Sequence, residues 1–288
     1  RAGANDRQGC SMIVVHHLND SRSQRVLWLL EELNLNYRIQ HYQRDPVTRL
    51  APPELKAVHP LGKAPVIVCN DADIDAVVQG VRSYGYYNAG QDCTAACRIY
   101  AQAGIHDRLV SELGDAVASL RFARKKDADN ELGPLISARQ RDRVQGYLDL
   151  AVAEGGSFAC GGRRPPGLAR GYFIEPTVIR GLTNAARVAR EEIFGPVAPI
   201  TTFRTEAEVV SAANATEYGL VAYVFTRDNA RVIRVSEALD FGMVGINQGI
   251  VSNPAAPFGG VKHSGFGREG GFEGIEEYLE TKYVGIAL

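Results

Sequence analysis

Residues 197–247, VAPITTFRTEAEVVSAANATEYGLVAYVFTRDNARVIRVSEALDFGMVGIN, decide the fold. Three apolar runs, VAPITTF, LVAYVFT and GMVGIN, have strand length and are rich in β-branched and aromatic residues. Between them, EAEVVSAANAT and NARVIRVSEAL carry apolar residues at helical spacing. Strands alternating with helices predict an α/β architecture with a largely parallel sheet. Its strands read as near-continuous apolar runs because helices cover both faces.

The same alternation extends towards the N-terminus. YFIEPTVI (172–179) and PVIVC (65–69) read as strands. HDRLVSELGDAVASLRF (106–122) and SARQRDRVQGYLDLAVAEGG (137–156) read as amphipathic helices. In DADIDAVVQGVRSYGYYNAG (71–90), Ile74, Val77, Val78 and Val81 share one helical face. DCTAACRIYAQAG (92–104) reads as a short helix after a glycine turn, and GGRRPPGLARG (161–171) as an exposed connection. A separate strand–helix–strand unit opens the chain: MIVVHHL (12–18), SRSQRVLWLLEELNL (21–35) and YRIQHYQ (37–43). The last segment, TKYVGIAL (281–288), reads as a lone strand for another element or another subunit.

Bulk properties narrow the function. The chain has 288 residues, 45% of them apolar, and a net charge of −1 with both signs interspersed. That balance argues against nucleic-acid and membrane-surface partners. No apolar run is long enough to span a bilayer. Residues 1–11 read as a disordered lead without a signal-peptide core. The five cysteines, Cys10, Cys69, Cys93, Cys97 and Cys160, are odd in number and irregularly spaced. Without an export signal they fit a reduced, cytoplasmic setting. No cysteine and histidine spacing fits a zinc site, so no metal is expected.

NAGQDCTAAC (88–97) carries the chemistry. The glycine turn is expected to deliver Cys93 to a helix N-terminus, whose unpaired N–H groups favour a thiolate and can hold an oxyanion beside the sulfur. Spacing alone favours a buried structural cysteine.

A family resemblance then enters on several motifs in order. NAGQDC resembles the nucleophile motif of aldehyde dehydrogenases, and EEIFGPV (191–197) a second motif of that family. SNPAAPFGGVKHSGFGREGG (252–271) and the end of the chain are similar to succinate-semialdehyde dehydrogenases. YGYYNAGQDCTAACRIYAQ (84–102) is closer to aminobutyraldehyde and betaine-aldehyde dehydrogenases. The resemblance covers about residues 62–288, with the catalytic domain proper over 69–288 and an oligomerisation strand at 281–288. It implies an oxidoreductase for a small aldehyde with NAD or NADP as cofactor. Cys93 would attack the aldehyde, Glu192 would bind the nicotinamide ribose and Phe194 would pack near the nicotinamide. Ser252 matches a substrate-carboxylate contact, or is simply a loop hydroxyl. Tyr87 stands where succinate-semialdehyde enzymes carry an arginine, and an aromatic suits amino- or ammonio-aldehydes. GFGREG (265–270) fits G-x-G-x-x-G but does not open a helix directly after a strand, so it reads as a loop rather than a dinucleotide site.

Residues 12–68 resemble a different family, the thioredoxin-like N-terminal domain of glutathione S-transferases. There Ser21 would activate the glutathione thiol, or merely cap its helix, and Pro65 would be a cis-proline presenting glutathione. The Glu/Asp-Ser pair of that family is replaced by CNDADIDAVV (69–78). The resemblances together imply an incomplete thioredoxin-like piece followed by an aldehyde-dehydrogenase catalytic domain, with the Rossmann-type cofactor domain missing. His59 falls where the dehydrogenase family has its general-base glutamate. Three readings follow: a semialdehyde dehydrogenase of impaired activity, a glutathione-binding module, and a non-catalytic chimera.

Overall fold

A computed structural model describes residues 13–18, 27, 30–31, 35–43, 64–121, 130–168 and 170–287. The chain divides into two compact units, residues 1–60 and 61–288. In the first, β1 (Ile13–Leu18) and β2 (Tyr37–Tyr42) form a parallel two-stranded sheet, with Ile13 opposite Tyr37 and Leu18 opposite Tyr42. Of the helix expected between them, Leu27, Leu30 and Glu31 are described and are helical. Ser21 and His59 lie outside the described residues.

The second unit is built on a seven-stranded sheet of order β10-β9-β3-β4-β7-β6-β5. Its strands are β3 (Ala64–Val68), β4 (Ala96–Gln102), β5 (Ser157–Cys160), β6 (Thr177–Arg180), β7 (Val197–Phe203), β9 (Val221–Phe225) and β10 (Met243–Ile246). All neighbours are parallel except β5, which runs antiparallel to β6 at one edge. β8 (Tyr218–Gly219) pairs with β11 (Val261–Lys262) in a short antiparallel ribbon. The expected α/β sheet is therefore present, and it is mixed.

Period-two alternation sorts the side chains into two apolar layers. Val66 and Val68 of β3 and Val221, Tyr223 and Phe225 of β9 join one core. Ile67, Ala222 and Val224 join the other. Three helices supply the first core: α1 (Ile74–Gly80), α2 (His106–Ala118) and α3 (Ala138–Ala153), through residues such as Val77, Leu113 and Leu148. α5 (Glu206–Asn214) and α6 (Asn229–Ala238) supply the second through Val209, Ala213 and Val235. Two single-turn helices, α4 (Arg187–Arg190) and α7 (Glu273–Glu276), complete the set. Side chains begin the longer helices: Asp73 caps α1, Ser137 caps α3, Thr205 caps α5 and Asp228 caps α6. No described helix is long and apolar enough to cross a membrane.

Three expectations are corrected: the helix at 92–104, the start of the strand at 172–179 and the cis form of Pro65. Residues 92–104 are not a helix: a turn at 92–95 runs into β4, which lies between β3 and β7. There both sheet faces are buried, so its apolar run lacks alternation and mimics a helix face. Within 172–179 only Thr177 onward is strand, because Phe173 and Ile174 are buried from an irregular stretch. Thr281–Ala287 forms no strand within the chain. Tyr283 and Ile286 there are exposed. Pro65 is trans, because no cis peptide bond occurs among the described residues. It lies in β3, hydrogen-bonded into a sheet that needs extended backbone on both sides.

Tyr86 ties the end of the helical segment to the sheet. It is buried at 2% exposure, and its hydroxyl donates to the Thr177 carbonyl at 2.9 Å. Removing that donor leaves a buried carbonyl without this partner, at a cost of about 1–3 kcal/mol. Tyr86→Phe is expected to lower the urea midpoint accordingly without changing the slope of the transition; an unchanged midpoint would remove Tyr86 from the account of stability.

Candidate active site

The site is assembled from two loops that precede neighbouring strands, the Tyr87–Ala95 loop before β4 and the Glu191–Pro196 loop before β7. In the first, Asn88, Ala89 and Gly90 have φ of 50°, 57° and 69°, three successive left-handed residues. Only glycine adopts that region without strain, so Asn88 and Ala89 store energy in the turn. Hydrogen bonds hold it: the Asn88 amide donates to the Gln91 carbonyl at 3.0 Å, and the Gln91 amide donates to the Asn88 carbonyl at 3.0 Å. The Asp92 carboxylate then accepts from the Thr94 N–H at 2.7 Å and the Thr94 hydroxyl at 2.8 Å. The Thr94 carbonyl accepts from the buried Tyr223 hydroxyl at 2.9 Å. Cys93 sits at the apex of this turn and is exposed.

In the second loop Phe194 is also left-handed, with φ 56°. Helix α3 grips it. Gln140 donates its amide to the carbonyls of Ile193 at 3.1 Å and Phe194 at 2.7 Å. Arg143 donates to the Glu192 carbonyl. Tyr147 donates to the Glu191 carboxylate at 2.8 Å, which Arg187 also pairs at 2.6 Å. The Arg187 hydrogen bond, with that of Tyr147, holds the Glu191 carboxyl below its ordinary range against the effect of burial.

Two glycines let the loops meet. A Cβ on Gly90 would lie 2.1 Å from the Gly195 carbonyl oxygen, and a Cβ on Gly195 would lie 2.5 Å from Val144 Cγ2 of α3. This contact places the Glu192 carboxylate, only 7% exposed as a residue, within electrostatic reach of the Cys93 thiol. Partial burial pushes that thiol above its ordinary value, and the Asp92 and Glu192 carboxylates push the same way. The backbone N–H groups of Cys93 and Thr94 pull against them. Cys93 thus stands on a turn and not at a helix N-terminus, so the helix dipole expected to favour its thiolate is not supplied there.

The other sequence candidates are dispersed. Tyr87 adjoins the strained turn and is 62% exposed. Ser252 is exposed on an irregular loop whose Gly249 packs against Gly80 and Tyr84. Pro65 is buried in β3. The GFGREG segment is a loop in which Gly265, Gly267 and Gly270 have positive φ. Sequence reading missed Gln140 and Arg143; their spacing of three on the polar flank of α3 was the available signal.

Two outcomes follow from this geometry. Gly90→Ala is expected to disrupt the loop contact, because its Cβ meets backbone that has no rotamer to yield; the check is the urea midpoint together with the iodoacetamide reactivity of Cys93. Asp92→Asn keeps an oxygen for Thr94 but removes the negative charge. Its pH profile for Cys93 alkylation is expected to move to lower pH, with faster reaction at neutrality.

The aldehyde dehydrogenase family profile matches residues 57–284, and the profile of the glutathione S-transferase N-terminal domain matches residues 21–82. Glutarate-semialdehyde dehydrogenase of Pseudomonas putida is 46% identical over 227 residues, which is 79% of this chain and 46% of that protein. The NADP(+) succinate-semialdehyde dehydrogenase of Escherichia coli K12 is 45% identical over 227 residues, 79% of this chain and 47% of that protein. The crystal structure of succinate-semialdehyde dehydrogenase from Burkholderia pseudomallei superposes with a TM-score of 0.73 at 45% identity, over 75% of this chain and 45% of that one. The chain thus spans about half the length of the curated relatives it matches. On these matches and on the two converging motifs, the chain belongs to the aldehyde dehydrogenase family.

Proposed function

We propose that this chain carries the nucleophile half of a semialdehyde dehydrogenase, oxidising a small aldehyde of the succinate, glutarate or aminobutyraldehyde class to its acid. The observation that carries the reading is an exposed Cys93 on a loop packed, through Gly90 and Gly195, against the loop that carries Glu192 and Phe194. The semialdehyde relatives support the substrate class.

The Cys93 thiolate adds to the aldehyde carbon, forming a C–S bond. The carbonyl oxygen takes negative charge, which the Cys93 N–H stabilises, and then a proton. With a hydride acceptor bound, that carbon would give up its hydride and the oxygen its proton, leaving a thioester. Water cleaves the thioester to the acid and the free thiol. NAD or NADP, when bound, supplies the acceptor for the hydride. Glu192 and Phe194 fit the nicotinamide–ribose end of such a cofactor, since they stand on the loop that meets the Cys93 turn. Tyr87 and Ser252 are proposed to face the tail of the aldehyde, and the exposure of both supports a solvent-side role.

The parallel β1–β2 pair supports a thioredoxin-like reading of residues 12–68. The exposed backbone of Thr281–Ala287 supports its reading as a strand that pairs in a homo-oligomer. The glutathione reading draws on the profile match at 21–82 but is weakened at Pro65, which is trans and part of the large sheet.

An activated aryl ester tests the nucleophile without a cofactor, because the thiolate attacks its carbonyl and expels a coloured phenolate. A burst of about one equivalent per chain is expected, retained in Cys97→Ala and lost in Cys93→Ala. A burst that survives Cys93→Ala would overturn the assignment. Reduction of NAD or NADP on adding succinate or glutarate semialdehyde, followed at 340 nm, then reads the complete reaction.

A further inference from the structure

The two loops of the site share one reference element. Gln140, Arg143, Val144 and Tyr147 follow each other at spacings of three, one and three, so they form one face of α3. Gln140 and Arg143 bind the carbonyls of Glu192, Ile193 and Phe194, three in succession. Val144 packs against Gly195, and Gly195 against Gly90 of the other loop. Just before α3, the Ile136 N–H donates to the Gln91 side-chain oxygen at 3.0 Å, two residues from Cys93. A single helix and its entry turn therefore hold both the thiol loop and the carboxylate loop.

We infer that α3 acts as a ruler between Cys93 and Glu192, and that Gln140 is the positioning residue on which it depends. This rests on the proposed reading of Cys93 as nucleophile and Glu192 as the carboxylate beside it. Glu192 is followed by a left-handed phenylalanine, and left-handed backbone relaxes unless neighbours hold it. Gln140 supplies that hold, because its amide spans the Ile193 and Phe194 carbonyls on either side of the strained link. Arg143 is exposed and anchors the preceding carbonyl, so its share is smaller. None of these side chains touches the reacting atoms. Their effect is to fix the distance at which the carboxylate repels the thiolate, and with it the fraction of Cys93 ready to react.

The test is the pH profile of Cys93 alkylation by iodoacetamide, read by peptide mapping on the full chain, in a cycle of Gln140→Met and Glu192→Gln. Met fills the same volume and favours a helix but donates nothing. Each variant is first checked for a native circular dichroism spectrum. Glu192→Gln is expected to move the profile to lower pH. Gln140→Met is expected to move it the same way, speeding the reaction at neutrality roughly two- to threefold. In the Glu192→Gln background, Gln140→Met is expected to add nothing, a result that general loosening would not give. Should Gln140→Met fail to fold, Gln140→Asn, one methylene too short to span both carbonyls, replaces it in the cycle.

If Glu192→Gln leaves the profile unmoved, the reading of the site falls and the ruler with it. If Glu192→Gln moves it and the Gln140 variant does not, the ruler alone is overturned. An equal shift from the Gln140 variant in both backgrounds also overturns it, because the effect then bypasses the carboxylate.

Discussion

The contact between Gly90 and Gly195 is the constraint on which the site depends. Parallel strands fix where β4 and β7 begin, side by side in the sheet. The loops that lead into them could still splay apart. Two backbones packed without side chains between them bring the loops to van der Waals distance, and α3 closes the stack through Val144. The strain in Asn88, Ala89 and Phe194 follows from this approach, since chains that turn this tightly must visit left-handed backbone. Each such residue costs on the order of 1–3 kcal/mol. The cores on the two sheet faces, where Val66, Ile67, Tyr223 and Leu113 are fully buried, supply the rigidity that keeps the turns from relaxing.

The electrostatics of Cys93 run against the simplest picture of an activated thiol. Burial and two carboxylates favour the protonated form, while two backbone N–H groups favour the charged one. This balance suits a site in which negative charge is wanted only as the aldehyde adds. In the proposed reaction the Cys93 N–H serves the thiolate before attack and the oxygen after it. A helix N-terminus would stabilise the thiolate continuously, lowering its nucleophilicity along with its pKa. The turn at Asp92–Ala95 gives local donors without that long-range field.

The legible parts of the sequence were those with a clean period. LVAYVFT alternates between the two cores as β9, VAPITTF and GMVGIN form β7 and β10, and the stretches between them form α5 and α6. Cys93, Glu192 and Phe194 were legible as motifs, and two of the three converge in space. The failures share a cause: the local pattern was correct but tertiary context assigned it differently. CTAACRIYAQ has apolar residues wherever a helix or a doubly buried strand needs them, and only its place between β3 and β7 decides. Gln140 was illegible because a half-buried glutamine on a helix acquires its role from carbonyls more than fifty residues away.

The segment APVIV shows how one sequence can satisfy two profiles while serving one sheet. The aldehyde dehydrogenase match begins at residue 57 and the glutathione S-transferase match ends at residue 82, so both claim residues 64–68. Any α/β fold accepts such a strand locally, being β-branched and apolar on both faces. Hydrogen bonding is exclusive where propensity is not. β3 has β4 on one side and β9 on the other, so both of its edges are occupied. A strand that presents glutathione must keep backbone groups free for the peptide, and a central strand of a seven-stranded sheet has given those groups to its neighbours. Its five residues are all buried, with Val66, Ile67 and Val68 wholly so, and returning them to the first unit would open the large sheet at its middle. In this structure the seven-stranded sheet therefore holds the strand that both profiles match.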